Sequence, residues 1–306
     1  MQHFISIADH TTEQLRHVLD IARQLKAEHK SSGRNAPLLA GKTLAMIFEK
    51  PSLRTRVSFT VAMNHLGGAA MMLRQEEVGL TTREPVEDVA RVLSGMCDGI
   101  MARTFEHAKV TGLAKWASVP VINGLTDFSH PCQAMADVMT IEEHFGSLGG
   151  RTVAFVGDGN NVARSLAVAC GKFNMRFVLA CPTGYELPED EVDRIMAQVP
   201  AMDFVVTRDP ADAVRDADIL YTDTWVSMGQ ETEKAKRVRD FASFQINRKL
   251  LEQAPDHAVV LHCLPAYRGL EITEEVIESP CSLIFPQAEN RLHVQKGLLA
   301  VLLGHQ

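Results

Sequence analysis

Short runs of bulky or branched apolar residues recur along the chain with amphipathic, helix-spaced segments between them, and this alternation limits the fold more than any other feature. TLAMIF (43–48), AAMMLR (69–74), GIMAR (99–103) and VPVIN (119–123) form a first series. TVAFVGD (152–158), RFVLAC (176–181), DFVVTR (203–208), ADILYTD (217–223) and AVVLHCLP (258–265) form a second. Strand-length runs spaced by helical patterns read as βα units with parallel pairing. The predicted fold class is therefore α/β, with two domains, each a largely parallel sheet flanked by helices. A length of 306 residues suits two domains of about 150 residues each. PCQAMADVMTIEEHF (131–145) reads as a helix with Met135, Val138 and Met139 on one face, and the turn-rich GSLGG comes after it. That places the boundary near residue 147, giving domains 1–147 and 148–287. The last segment, NRLHVQKGLLAVLLG (290–304), is helical, and its pattern leaves open which half it packs on. The first helix is 11–25, with apolar residues at 15, 18, 19, 22 and 25 and a Thr11/Gln14 capping box.

Composition then excludes several classes. No apolar stretch approaches the ~18 residues of a membrane span, and polar and acidic residues in MQHFISIADHTTEQLRHVLD occupy the place of a signal-peptide core. A cytoplasmic protein is expected. Six cysteines (97, 132, 170, 181, 263, 281) lie far apart with no CxxC pair, so reduced, buried thiols are expected rather than a zinc cluster or a disulfide framework. A formal net charge of −7 argues against nucleic acid as a partner, because that affinity comes from basic groups neutralising phosphates. Any anionic ligand must be held by a local group of arginines.

Such a group stands at KPSLRTRVSF (50–59), directly after a predicted strand. The next helix carries Phe59, Ala62, Met63 and Leu66 on its inner face, so Ser52 to Thr55 fall at its N-terminus, where backbone amides and the positive end of the dipole collect. Arg54 and the hydroxyls of Ser52 and Thr55 complete an anion site; the competing reading is a cap with two solvated arginines. Arg103 ends the GIMAR strand, and HPCQ (130–133) places His130 and Gln133 where a post-strand segment becomes the inter-domain helix. His130 read alone is equally a structural capper. GDGNNV (157–162) comes after a strand, yet Val162 fills the slot of the third glycine and no acidic residue ends the next strand, so nicotinamide binding is rejected. Asn160 and Asn161 can hold an amino-acid head group, or Asn160 can serve a turn. Asp223 is placed to pair with a cation and Ser227 to contact a carboxylate. Cys263 in HCLP assembles no His–Asp triad and is not proposed as a covalent nucleophile.

Taken in order, FEKPSLRTR, RTFEH, HPCQ, GDGNN, DTWVSMG, HCLPA and ENRLH span nearly the whole chain and resemble the ornithine carbamoyltransferase family. SxRTR and HPxQ are shared with aspartate carbamoyltransferases; SMG and HCLP point to ornithine. The resemblance implies a carbamoyl phosphate domain (1–147 with 288–306), an ornithine domain (148–287) and a homotrimer. It implies that Ser52, the Leu53 backbone, Arg54 and Thr55 hold phosphate, and that Arg103, His130 and Gln133 hold the carbamoyl group and phosphate. Asn161, Asp223, Ser227 and Met228 would hold L-ornithine, Cys263 and Leu264 would border both substrates, and Arg291 would contact carbamoyl phosphate. Arg103, His130 and Cys263 take the catalytic roles, and neither metal nor organic cofactor is required. Three positions depart from the family pattern: Leu53 where threonine is usual, Tyr267 where histidine is common, and Gly79 in the slot of a glutamine that ordinarily reaches a neighbouring subunit's carbamoyl phosphate. Either Gln75 or another loop residue takes that role, or substrate affinity changes. The intact SMG segment disfavours an acylated-ornithine acceptor, while Leu53 and Gly79 keep a catalytically impaired binding paralogue as the alternative.

Overall fold

A computed structural model of the protein describes residues 1–199, 202–227 and 229–304. The chain divides into two compact units, Met1–Ala136 with Glu289–Gln306, and Asp137–Ala288. The first unit holds helix α1 (Thr12–Ser32), strand β1 (Thr43–Phe48), α2 (Leu53–His65), β2 (Ala69–Arg74), α3 (Gln75–Val78), α4 (Val86–Ser94), β3 (Gly99–Arg103), α5 (His107–Trp116) and β4 (Val121–Leu125). Helix α6 (Pro131–Phe145) crosses into the second unit. There come next β5 (Thr152–Val156), α7 (Asn161–Lys172), β6 (Arg176–Ala180), α8 (Glu189–Gln198), β7 (Phe204–Thr207), α9 (Pro210–Val214), β8 (Ile219–Thr222), α10 (Lys234–Asp240), α11 (Arg248–Leu251), β9 (Val259–His262) and α12 (Glu274–Ile277). Helix α13 (Ile284–Leu303) leads back to the first unit.

Every strand pair is parallel, in the orders β2-β1-β3-β4 and β7-β6-β5-β8-β9. The α/β expectation therefore holds in both halves. Strands covered by helices on both faces read as continuous apolar runs, and all five residues of β5 are buried accordingly. Ile47, Ile100, Ala102, Val89, Val110 and Leu113 share the core of the first sheet. In the second, Phe155 stacks on Tyr221 with ring centroids 5.3 Å apart, and each fully buried ring of this size contributes about 1.5–3 kcal/mol. By contacts the two units divide inside α6, between Ala136 and Asp137. Among the described residues no helix is long and apolar enough to cross a membrane.

Helix α13 packs on the first unit through a close approach to α1. A Cβ on Gly297 would lie 2.6 Å from the carbonyl oxygen of Val18, so only glycine allows this contact. The helix also carries charge inward: Lys296 is fully buried and its Nζ donates to Asn35 Oδ1 at 2.7 Å, while burial pulls its pKa down to about 8. Burial pushes His293 down to about 4, although Glu289 Oε1 lies 3.1 Å from its Nε2. The unfolded chain takes up that proton near pH 6.5 and the folded chain only near pH 4. The associated stability, on the order of 3 kcal/mol, is therefore complete above the unfolded value and is lost as pH falls through this window. Urea unfolding across it should show a shallower pH dependence for His293→Gln than for the parent; equal slopes would reject the assignment.

Candidate active site

Open parallel sheets bind ligands beyond the carboxyl ends of their strands, where strand order reverses. In the first unit that point lies between β1 and β3, because β2 lies on one side of β1 and β3 on the other. Phe48 and Arg103, the last residues of these strands, are register partners. The segment after β1 reaches α2 through Ser52, whose Oγ accepts the Thr55 amide at 3.3 Å. The capping alternative for Ser52 is thus realised, and it sets the helix start. Leu53 is the first helical residue and its side chain is 73% exposed, so only its backbone faces the helix N-terminus.

Thr55 is the meeting point. Its hydroxyl accepts Arg103 Nη1 at 3.3 Å and Arg291 Nη2 at 2.8 Å, bringing together three residues from α2, β3 and α13. His130 ends the segment after β4 and is 3% exposed. Burial first, then Arg291 and Arg103, hold its pKa well below the usual histidine range, so the ring is neutral and keeps one N–H to donate. Gln133 lies in the first turn of α6, 1% exposed, and its backbone N–H donates to the His130 carbonyl at 3.1 Å. Thr55, Arg103, His130 and Arg291 therefore form one electropositive, largely dry cluster suited to an anion with a polarisable oxygen.

Two residues of this neighbourhood were not singled out by sequence reasoning. Lys50 is buried and holds its Nζ 4.0 Å from the Phe105 ring centroid, where burial first, and then Arg103, lower its pKa. Glu49 accepts the Phe105 amide at 2.9 Å and Lys109 Nζ at 2.8 Å, which ties the turn after β1 to the turn after β3. Their signal was present in FEKP, immediately before the arginine motif. The 75–85 loop explains why Gly79 cannot be a glutamine here. Its φ is +63°, a Cβ would lie 2.5 Å from Arg83 Cβ, and its carbonyl accepts the amides of Thr82, Arg83 and Glu84. Gln75 Nε2 donates within the same loop, to Leu80 O at 3.3 Å.

In the second unit the order reverses between β5 and β8. Asn160, Asp223 and Cys263 come after β5, β8 and β9, three neighbouring strands. Asp223 accepts Asn160 Nδ2 at 2.7 Å, the Thr224 amide at 2.7 Å and Cys263 Sγ at 3.0 Å, an acceptor set that suits a carboxylate. Asn160 is also the cap of α7, its Oδ1 accepting the Val162 and Ala163 amides, so the residue that touches Asp223 is Asn160 and Asn161 opens the helix. The Ser227 amide donates to Gln230 Oε1 at 3.1 Å. Met228 lies outside the described residues. Arg237 Nη1 bonds Asp158 at 2.7 Å and the Trp225 carbonyl at 3.2 Å, joining the turn after β5 to the turn after β8.

Asp223, His262 and Cys263 carry metal-ligand atom types within 4.8 Å of one another. Both His262 nitrogens are nevertheless committed: Nδ1 accepts the Leu264 amide at 2.8 Å and Nε2 bonds Glu271 at 3.0 Å. The same commitment turns both ring nitrogens of His262 away from Cys263. Leu264 adopts φ +57°, which turns the chain sharply after Cys263.

Comparison with known proteins places both halves. Residues 2–143 match the model described as "Aspartate/ornithine carbamoyltransferase, carbamoyl-P binding domain", and residues 149–302 match "Aspartate/ornithine carbamoyltransferase, Asp/Orn binding domain". An ornithine carbamoyltransferase from Methanopyrus kandleri is 50% identical over 305 residues, covering 99% of this chain and 97% of the relative. One from Pyrococcus furiosus, named as anabolic, is 50% identical over 303 residues, covering 98% and 96%. The solved structure of an ornithine carbamoyltransferase from Pyrococcus furiosus superposes with a TM-score of 0.95 at 48% identity, covering 99% of this chain and 97% of that one.

Proposed function

We propose, from a chain that belongs to the aspartate/ornithine carbamoyltransferase family, that it transfers the carbamoyl group of carbamoyl phosphate to the δ-amine of L-ornithine, giving L-citrulline and phosphate. The observation that carries this reading is the convergence of Arg103 and Arg291 on the Thr55 hydroxyl beside a neutral, buried His130. The amine attacks the carbamoyl carbon, a C–N bond forms, and charge gathers on the carbonyl oxygen. The C–O bond to phosphate then breaks and the nitrogen releases a proton. Arg103, His130 and Thr55 donate to that oxygen; Ser52, the Leu53 amide, Arg54 and Arg291 hold the departing phosphate, with Gln133 on the carbamoyl amide. Each donor aimed at such an oxyanion is worth about 10²–10³ in turnover.

The second unit supplies the acceptor. Asp223 faces the cationic amine, Asn161 and Ser227 hold the amino-acid end with Met228, and Cys263 and Leu264 border both substrates. A carboxylate already gathering three donors supports a site for a cation. A homotrimer belongs to the same reading, supported by Leu53, Val57 and Met71, apolar side chains 73%, 50% and 43% exposed that self-association would cover. So do a cytoplasmic location and a biosynthetic direction, the latter supported by the anabolic relative.

Steady-state kinetics with ornithine, N-acetylornithine and aspartate as competing acceptors test the proposal. Citrulline formation from ornithine alone is the expected result. Turnover of N-acetylornithine would move the assignment to a sister enzyme, and ligand binding without turnover would reduce the protein to a binding paralogue.

A further inference from the structure

A buried polar network stands behind Cys263 and is used by none of the steps above. Strand β9 is an edge strand, and the His262 amide donates away from the sheet, to Gln287 Oε1 of α13 at 2.9 Å. Gln287 Nε2 donates to Asp137 Oδ1 of α6 at 2.6 Å and to Tyr221 OH of β8 at 3.1 Å, and the phenol donates to Asp137 Oδ2 at 3.2 Å. Asp137, Tyr221, His262 and Gln287 are all 0% exposed. Burial, and then the Asp137 carboxylate, hold the Tyr221 phenol well above its ordinary pKa, so it stays a donor.

The order of these bonds fixes an orientation. A carboxylate only accepts, so Asp137 requires the NH₂ end of Gln287 and turns the amide oxygen toward the His262 peptide. That N–H lies in the Leu261–His262 peptide, one residue before Cys263, whose Sγ lies 3.0 Å from Asp223, and the His262 ring takes the Leu264 amide on the far side. The backbone at Cys263 is thus held from both flanks. We propose that Gln287, oriented by Asp137 and Tyr221, is a positioning residue that sets the Cys263 thiol against Asp223 in the amine-acceptor half of the site. The role given to Cys263 rests on the proposed carbamoyl transfer; the placement of its sulfur does not.

Gln287→Met removes the acceptor of the His262 amide, and Tyr221→Phe keeps the ring but loosens Gln287. The expected outcome for Gln287→Met is a loss of about 10²-fold in kcat/KM for ornithine, the scale of a small misplacement at a reacting centre. Tyr221→Phe falls in the same direction by less. Calorimetric affinity for carbamoyl phosphate falls by much less than kcat/KM for ornithine in both, and the rate of Cys263 alkylation, followed by mass spectrometry, changes in both. Parent-like ornithine kinetics and alkylation in both variants overturn the proposal, as does an equal fall in carbamoyl phosphate affinity. If Gln287→Met does not fold, Tyr221→Phe decides. If the parent itself forms no citrulline, the functional reading fails, and the alkylation rates still decide the positioning.

Discussion

Arg103→Ala lowers turnover by about 10²–10³, with a smaller effect on carbamoyl phosphate affinity, because the guanidinium is asked to stabilise charge that appears on the carbamoyl oxygen during the reaction. The side chain ends β3 at the point of strand reversal and donates to Thr55, which Arg291 also reaches. Its removal therefore leaves the Thr55 hydroxyl partnered and the fold intact, and the loss is read as chemistry rather than collapse. Arg103→Lys recovers little, since an ammonium cannot keep a forked contact to two oxygens. Stopped-flow citrulline formation alongside calorimetric binding separates the two effects. Equal losses of affinity and turnover would assign Arg103 to ground-state binding alone.

That Arg103 could be placed at a strand end from sequence has a physical reason. Buried parallel strands are apolar throughout, so Thr43–Phe48 and Gly99–Arg103 stand out as written, and the loop after each of them lies at the switch point. Sequence and structure part where local signals oppose packing. The VPVIN run spans 119–123, whereas β4 is Val121–Leu125: Pro120 has no amide to donate, and the strand runs on through Asn123 and Gly124. Asn123 is fully buried and its amide satisfies the Ile5 carbonyl at 2.9 Å, a long-range bond that local propensity does not encode.

GSLGG marks the turn between the segments matched by the two family models, while Asp137, nine residues earlier in the helix, already bonds Tyr221 and Gln287 of the second unit. Contacts thus begin to join the second unit before the turn. At the acceptor site the sequence named Asp223 and Cys263, and the two lie in hydrogen-bond contact. The resemblance named Asn161, while the amide that bonds Asp223 and caps α7 is Asn160, because adjacent identical amides differ only in which one precedes the helix. The pairing of His262 with Glu271, and of Arg237 with Asp158, joins turns that only the folded sheet brings together.

Asp223→Asn tests the other half of the chemistry, and its effect should fall on the amine alone. Three donors point at this carboxylate: Asn160 Nδ2, the Thr224 amide and Cys263 Sγ. An amide of the same size presents two N–H groups to donors already in place, so one contact turns repulsive and the full negative charge proposed to face the ornithine amine is lost. Truncating one partner of an enclosed charge pair costs about 2–5 kcal/mol, which predicts a fall in kcat/KM for ornithine of at least one order of magnitude. Carbamoyl phosphate affinity changes far less, because the arginines proposed to hold it, Arg54, Arg103 and Arg291, lie in the other unit. Asp223→Glu restores the charge but lengthens the arm, so partial recovery distinguishes lost charge from lost shape. An Asp223→Asn protein with parent kinetics for ornithine would remove the carboxylate from acceptor recognition.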